Sequence, residues 1–364
     1  MLEEAKLPRE LTRKVRVGEV CIGGGSPVAV QSMTNVPMIQ GEHGPLLDVE
    51  GNLAQIARFQ EAGCEIARVA VPNRASIEPF GRICEASPLP VVADIHFDHL
   101  IAIGAARAGA SKLRINPGNI GGQDRVDEVI EVAGECGIPI RIGVNGGSLD
   151  MKWRERHELS LPERLAGSVA EFVEHFEDRG FKDIVVSAKA HDVQATMETY
   201  RLLSREIPQV PLHLGITEAG TFLQGSVKSS VGIGALLLAG IGDTFRVSLT
   251  ADPVEELHVA WEILAACGLR RRSPELVSCP TCSRCQVDMI PIAKEVEQRL
   301  RSVRKPLKVA VMGCVVNGPG EAADADIGVA CGKDSGILFK GGQKLRKVAA
   351  GEIVDALFQE IEAL

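Results

Sequence analysis

The 364 residues lack any basic excess: 48 acidic side chains outnumber 40 Lys and Arg, and a net charge of −8 does not suit a nucleic-acid binder. An apolar leader is missing too. The opening MLEEAKLPRELTRKV is charged throughout, so a secretory signal is not expected. Nor is there a run fit for a bilayer, since the longest apolar stretch, Val231 to Gly242, holds four glycines and stops at Asp243. No low-complexity segment interrupts the chain, so order is expected throughout. Ten cysteines spread over such a length do not make a disulfide framework; they read as free thiols in a reducing compartment. A soluble, cytoplasmic protein with no nucleic-acid and no membrane partner is expected.

What is present is enough apolar material for a large core, 45% of residues, arranged as a repeat. Between Val28 and Asp252 a short β-branched run is followed by a polar loop and a stretch of 3.6-residue periodicity, eight times over. The runs lie at 28–33, 66–71, 90–95, 112–116, 138–144, 183–187, 210–215 and 244–249. Eight such units predict an α/β chain built on a (β/α)8 TIM barrel; an open doubly wound sheet gives no reason for that regularity. Residues 15–25 predict a hairpin closing the barrel floor. The barrel is expected over 1–268, a linker over 269–278, and a small C-terminal α/β domain over 279–364. That domain should hold a helix near 286–303, strands at 308–313 and 326–332, a hairpin at 336–343 and a closing amphipathic helix at 352–364.

Active sites of such barrels sit at the C-terminal strand ends, and here those ends are polar. Arg68, Arg114, Arg141, Lys189 and Arg246 lie within or just after strands, where a lone cation is costly to bury. Asp94 and Glu218, read as the only nearby carboxylates, are too few to neutralise them, so an anionic ligand is expected, with phosphate suiting forked arginines. Asn116, Asn145, Thr217 and Ser248 add hydrogen-bonding groups to the same rim, and the Gly-rich turns 116–122 and 143–148 add backbone amides. Glu218 is the candidate proton donor, whereas Asp94 is expected to orient an arginine. His96 and His213 receive no catalytic role.

Five cysteines crowd the last 86 residues: Cys279, Cys282, Cys285, Cys314 and Cys331. Zinc would want a second Cys-x-x-Cys pair, which MGCVVNGPGE (312–321) does not supply. SCPTCSRC (278–285) instead has ferredoxin-like spacing, and on spacing alone Cys279, Cys282, Cys285 and Cys314 would bind an iron–sulfur cluster. The radical-adenosylmethionine spacing and the flavin and nicotinamide fingerprints are absent. Cys331 sits in an apolar strand pattern and is expected to pack.

The motifs AVQSMTN (29–35), VADIHFD (92–98), LRINPGNIG (113–121), IRIGVN (140–145), PLHLGITEAG (211–220), GDTFRVSLTADP (242–253), SCPTCSR (278–284) and GCVVNGPGE (313–321) follow one another through both domains. In this order they resemble the bacterial 4-hydroxy-3-methylbut-2-enyl diphosphate synthases of the methylerythritol phosphate route to isoprenoids. The resemblance implies a 4Fe-4S cluster held by Cys279, Cys282, Cys314 and Glu321, with Cys285 not required. It implies reductive ring opening and dehydration of 2-C-methyl-D-erythritol 2,4-cyclodiphosphate, with Arg68, Arg114, Arg141, Lys189 and Arg246 on the diphosphate and Glu218 and Glu321 catalytic. Reduced flavodoxin or ferredoxin as electron donor and a head-to-tail homodimer are implied as well. One departure is the loop 36–50, longer than the family's usual Thr-rich segment. The competing expectations are a zinc-stabilised barrel lyase or aldolase on a sugar phosphate, and a non-catalytic iron–sulfur carrier.

Overall fold

Alternate residues of the first eight predicted strands divide between two surfaces. Val30, Ala67, Val69, Ala93, Leu113 and Ile142 belong to the large apolar core shared with the helices. Their neighbours on the opposite face, Ala29, Ile66, Val92 and Val185, pack on Val15, Val17 and Ile22. That two-sided burial is what a closed parallel sheet wrapped in helices requires. The computed structural model describes residues 6–41, 44–314, 320 and 324–364. It divides into two units, Met1–Arg270 and Arg271–Leu364.

In the first unit, β1 (Val15–Val17) and β2 (Val20–Ile22) form an antiparallel hairpin whose apolar side chains seal the barrel floor, as expected from the sequence. The barrel strands are β3 (Ala29–Met33), then, after the small hairpin β4 (Ile39–Gly41) and β5 (Gly44–Leu46), β6 (Ile66–Ala70), β7 (Val91–Asp94) and β8 (Lys112–Ile115). They continue with β9 (Ile140–Asn145), β10 (Ile184–Lys189), β11 (His213–Leu214) and β12 (Thr244–Phe245). The order is β10-β9-β8-β7-β6-β3-β12-β11, every neighbouring pair parallel. A parallel bridge from Val186 to Leu212 joins the two ends and closes the ring. β12 stops short of its predicted run, 244–249: the Arg246 amide still donates to the Leu214 carbonyl at 3.1 Å, but the Leu249 amide donates to Glu256 at 3.0 Å. Asp48, Asp98, Asp192 and Asp252 each cap the first turn of a helix, which lets the chain reverse within a few residues of the barrel rim. The longer loop flagged in the sequence carries the β4–β5 hairpin.

On the floor side Asp243 is buried; Thr12 Oγ1 donates to it at 2.9 Å and the Leu212 amide at 2.8 Å. Burial raises its pKa from the ordinary carboxylate range to about 6. The native state therefore holds a proton there that the unfolded chain has lost between about pH 4 and 6, and the Asp243 contribution to stability should fall as pH rises through that window. Its share of the slope should approach ~1.4 kcal/mol per pH unit, and Asp243→Asn should remove that share, read in thermal melts as the pH dependence of the stability difference between variant and parent. Asp94, held well below the ordinary range, acts only at lower pH, whereas His213, whose pKa burial lowers well below the ordinary imidazole value, pulls the other way in the same window, so the difference between parent and variant isolates Asp243. An unchanged slope in Asp243→Asn would contradict this account.

The second unit is one sheet ordered β13-β14-β15-β16-β17, formed by Glu275–Ser278, Lys308–Met312, Ile327–Gly332, Ser335–Lys340 and Gln343–Ala349. The first two pairings are parallel and the last two antiparallel. Helices Met289–Leu300 and Ile353–Glu362 bury Val296, Leu300, Leu357 and Ile361 against Val309, Val311, Val329 and Leu338. The boundary between the two units falls within the segment read as a linker, 269–278, whose last four residues are strand. Arg270 belongs to the first unit, with Nη1 and Nη2 on Glu65 at 2.8 and 2.9 Å, and 275–278 is the edge strand β13. Because β13 and β14 are parallel with Ser278 opposite Val311, both strands leave the sheet at the same end. No helix among the described residues is long and apolar enough to cross a membrane.

Candidate active site

Inside the barrel, strand alternation that exposes apolar residues at the floor brings charge higher up. Arg68, Lys112, Arg114, Arg141 and Lys189 are all at least nine-tenths buried, and Arg246 nearly so. Two carboxylates face these six cationic groups. Asp94 accepts from Arg114 Nη1 at 3.1 Å, lies 3.8 Å from Arg68 Nε and 3.5 Å from His96 Nε2. The surrounding guanidiniums and the His96 contact more than offset its burial and hold its pKa well below the ordinary range. Glu256 takes a two-pronged contact from Arg246, Nε at 3.1 Å and Nη2 at 3.0 Å, and also accepts from Ser32 Oγ at 3.3 Å.

The remaining cations have little to neutralise them. Arg68 Nε and Nη2 meet only the weakly accepting Met33 sulfur, at 3.1 and 2.9 Å, besides the distant Asp94. Burial lowers its pKa to about 10. Arg141 Nε and Nη2, the Lys112 ammonium and both ring nitrogens of His213 are buried with no hydrogen-bond partner. Burial, reinforced by the neighbouring guanidiniums, pushes Lys112, Lys189 and His213 well below their ordinary pKa values. Gly143 is needed where it stands: a Cβ there would lie 2.6 Å from Arg114 Nε. Such an interior favours a multiply charged anion, which would neutralise several of these cations at once.

The other predicted rim residues are placed as follows. Asn116 is buried and accepts from the Gly118 amide at 3.2 Å, while Asn145, Thr217 and Ser248 are half-buried. Glu218 is exposed and has φ +52°, the one non-glycine residue in the left-handed region among the described residues. A strained backbone at a polar loop residue is a common mark of a working site.

Two features differ from the sequence reading. Arg141 is not a rim residue. It is the second residue of β9, opposite the floor residue Val185, and its long side chain rises from there. Glu256 was missed, and with it a third acid. It lies on helix Pro253–Ala266 with Leu257, Ala260 and Leu264, so an acid on an apolar helix face was the available signal.

In the second unit Cys279 directly follows β13 and Cys314 lies two residues past β14, at the same end of the sheet. The Gly313 amide donates to Cys279 Sγ at 3.1 Å. A Cβ on Gly313 would lie 2.5 Å from Cys285 Sγ and 3.3 Å from Cys279 Sγ, so only glycine leaves room for both sulfurs. Cys314 is buried, Cys282 is exposed, and Cys285 Sγ donates to the Val287 carbonyl at 3.2 Å. Cys331 is fully buried, which raises its pKa to about 12. Among the described residues no three His, Cys, Asp or Glu side chains converge on a metal position, and Glu321 lies outside the described residues. Soft thiols beside an amide donor and a side-chain-free cradle nonetheless match the donor chemistry of an iron–sulfur cluster.

The GcpE TIM-barrel domain model matches residues 12–261, and the GcpE protein C-terminal domain model matches residues 275–363. A protein of Nitratidesulfovibrio vulgaris is 50% identical over 354 residues, covering 97% of this chain and 89% of its own. One from Clostridium acetobutylicum is 50% identical over 351 residues, covering 96% and 98%, and one from Geobacter sulfurreducens 48% identical over 353, covering 97% and 98%. Each is named 4-hydroxy-3-methylbut-2-en-1-yl diphosphate synthase (flavodoxin). Matched in both domains and along nearly its whole length, the chain belongs to the GcpE family.

Proposed function

We propose that this chain is a 4-hydroxy-3-methylbut-2-enyl diphosphate synthase acting in the methylerythritol phosphate route to isoprenoids. Its substrate is 2-C-methyl-D-erythritol 2,4-cyclodiphosphate. Two electrons and two protons enter, the ring carbon–oxygen bond to phosphate breaks, and one hydroxyl leaves as water. The observation that carries the reading is the excess of buried cations over carboxylates inside the barrel.

Arg68, Arg114, Arg141 and Lys189 hold the diphosphate, and Arg246 joins them while braced by Glu256. Asp94 orients Arg68 and Arg114 rather than exchanging protons, because its neighbours keep it ionised. Asn116, Asn145, Thr217 and Ser248 hydrogen-bond the sugar and phosphate oxygens. Glu218, exposed on its strained turn, delivers a proton to the departing hydroxyl. Cys279, Cys282, Cys314 and Glu321 would hold a 4Fe-4S cluster, which when bound would supply the two electrons one at a time.

Reduced flavodoxin is the electron donor suggested by the relatives' names, with ferredoxin as its equivalent. A head-to-tail homodimer is the working assembly. Leu223, Val227, Val231 and Leu238 form an exposed apolar stripe on helix Phe222–Leu238, a surface that a second copy would cover, and sedimentation at micromolar concentration tests it. A reducing, cytoplasmic setting suits ten cysteines that form no disulfide among the described residues.

The deciding experiment is iron and sulfide analysis of anaerobically purified protein, followed by turnover of the cyclodiphosphate with a chemical reductant. Iron, sulfide and product together are expected. Zinc without iron would instead favour a zinc-stabilised lyase or aldolase, and a loaded cluster without turnover would favour a non-catalytic carrier.

A further inference from the structure

Beneath the cationic interior the barrel floor has two halves. Ala29, Ile66, Val92 and Val185 make an apolar half on the β1–β2 hairpin. The other half is polar. In the strand register Lys112 lies opposite Val92, Thr244 opposite Ala29, and His213 opposite Thr244. Lys112, His213 and Thr244 are fully buried, and their polar side-chain atoms have no partner, as is true of both amide atoms of Gln31. Lys112 precedes Arg114 by two residues, so the two share a strand face, and Arg114 lies opposite Arg141. An ammonium and a guanidinium are thus rooted at floor level, with both carboxylates of the interior engaged by other arginines.

We propose that Lys112 is a positioning residue for the anion site, its ammonium pressing the Arg141 guanidinium towards the barrel mouth and deepening the positive field there. This rests on the diphosphate reading above. Like charges in a water-poor interior repel, and here the long arginine side chain is the part free to yield. The free protein carries the cost of the unpaired pair, and an arriving diphosphate relieves it. Burial and the neighbouring Arg141 charge push the Lys112 pKa well below its ordinary value, the direction expected of an ammonium held without a partner.

Such a residue should affect stability and binding in opposite directions, which a merely structural lysine would not. Lys112→Met keeps a similar side-chain volume and removes the charge. Without anion its melting temperature should rise above that of the unaltered protein. Its affinity for inorganic pyrophosphate, measured by calorimetry on the full-length protein, should fall at least about tenfold as the field at the anion site weakens and Arg141 settles back. Lys112→Gln, which keeps a hydrogen-bond donor without the charge, should behave like Lys112→Met. If the unaltered protein binds pyrophosphate and Lys112→Met binds it within about twofold, the role of Lys112 is refuted while the diphosphate reading stands. If the unaltered protein shows no pyrophosphate binding, both fall together. A melting temperature lowered in both variants would also refute the proposal, by marking Lys112 as structural.

Discussion

Glu256→Ala should lower the unfolding free energy by about 3–5 kcal/mol, the cost of leaving one member of a buried ion pair without its partner. The side chains of Glu256 and Arg246 are 3% and 16% exposed, so water cannot replace the lost carboxylate. The loss reaches further than one pair. Both carboxylate oxygens are in use, Oε2 by Arg246 Nε and Ser32 Oγ, and Oε1 by Arg246 Nη2 and the Leu249 amide. Removing the carboxylate would therefore orphan a guanidinium, a hydroxyl and a backbone amide that shapes the loop after β12. Urea unfolding of Glu256→Ala and Glu256→Gln checks this. The glutamine variant should recover part of the loss, because it can still accept from Leu249. The double replacement Arg246→Met with Glu256→Leu should recover more, since it leaves neither charge unpaired. A Glu256→Ala protein within about 1 kcal/mol of the parent, the ordinary cost of an unremarkable substitution, would show that the pair contributes little.

That Glu256 escaped notice shows where the sequence stops being legible. The eight strands were readable because each alternates between a helix-covered face and an interior face, and a two-residue period survives in the letters. The cations were readable for the same reason, as Arg68, Arg114 and Arg141 interrupt apolar runs. Their depth was not. Whether Arg141 stands at the rim or rises from the floor depends on register with Val185, a partner more than forty residues away. Lys112 sat in a recognised run and on the same face as Arg114, yet its position opposite the floor residue Val92 is likewise a matter of pairing. β13 read as linker because its polar lead-in, LRRRSP, hides a four-residue edge strand that exists only through β14. The thiols gave chemistry without geometry. Spacing presented Cys279, Cys282 and Cys285 as equals, whereas the fold sets Cys279 and Cys285 around Gly313 and leaves Cys282 exposed.

Those thiols yield the other large effect. Cys279→Ser should leave the anaerobically purified protein nearly free of iron, whereas Glu321→Ala should keep most of its iron but lose it rapidly in air. The difference follows from ligand softness. A thiolate binds cluster iron strongly, and serine offers a harder oxygen that is poorly ionised near neutral pH. Glutamate is already the hard ligand of the proposed set, so its removal leaves three thiolates in place. Turnover by Glu321→Ala should nevertheless fall by more than about 100-fold, beyond the 10–100-fold typical of a lost outer-shell partner. Metal analysis and visible absorbance read the first effect, and turnover with a chemical reductant the second. Full activity in Glu321→Ala would remove Glu321 from the ligand set. Iron retained in Cys279→Ser would have a specific explanation open to test, because Cys285 Sγ approaches the same side of Gly313. In that case adding Cys285→Ser should release the iron, and Cys285→Ser alone should not. If the double variant also keeps its iron, the cluster is held by thiols other than those at the β13 edge.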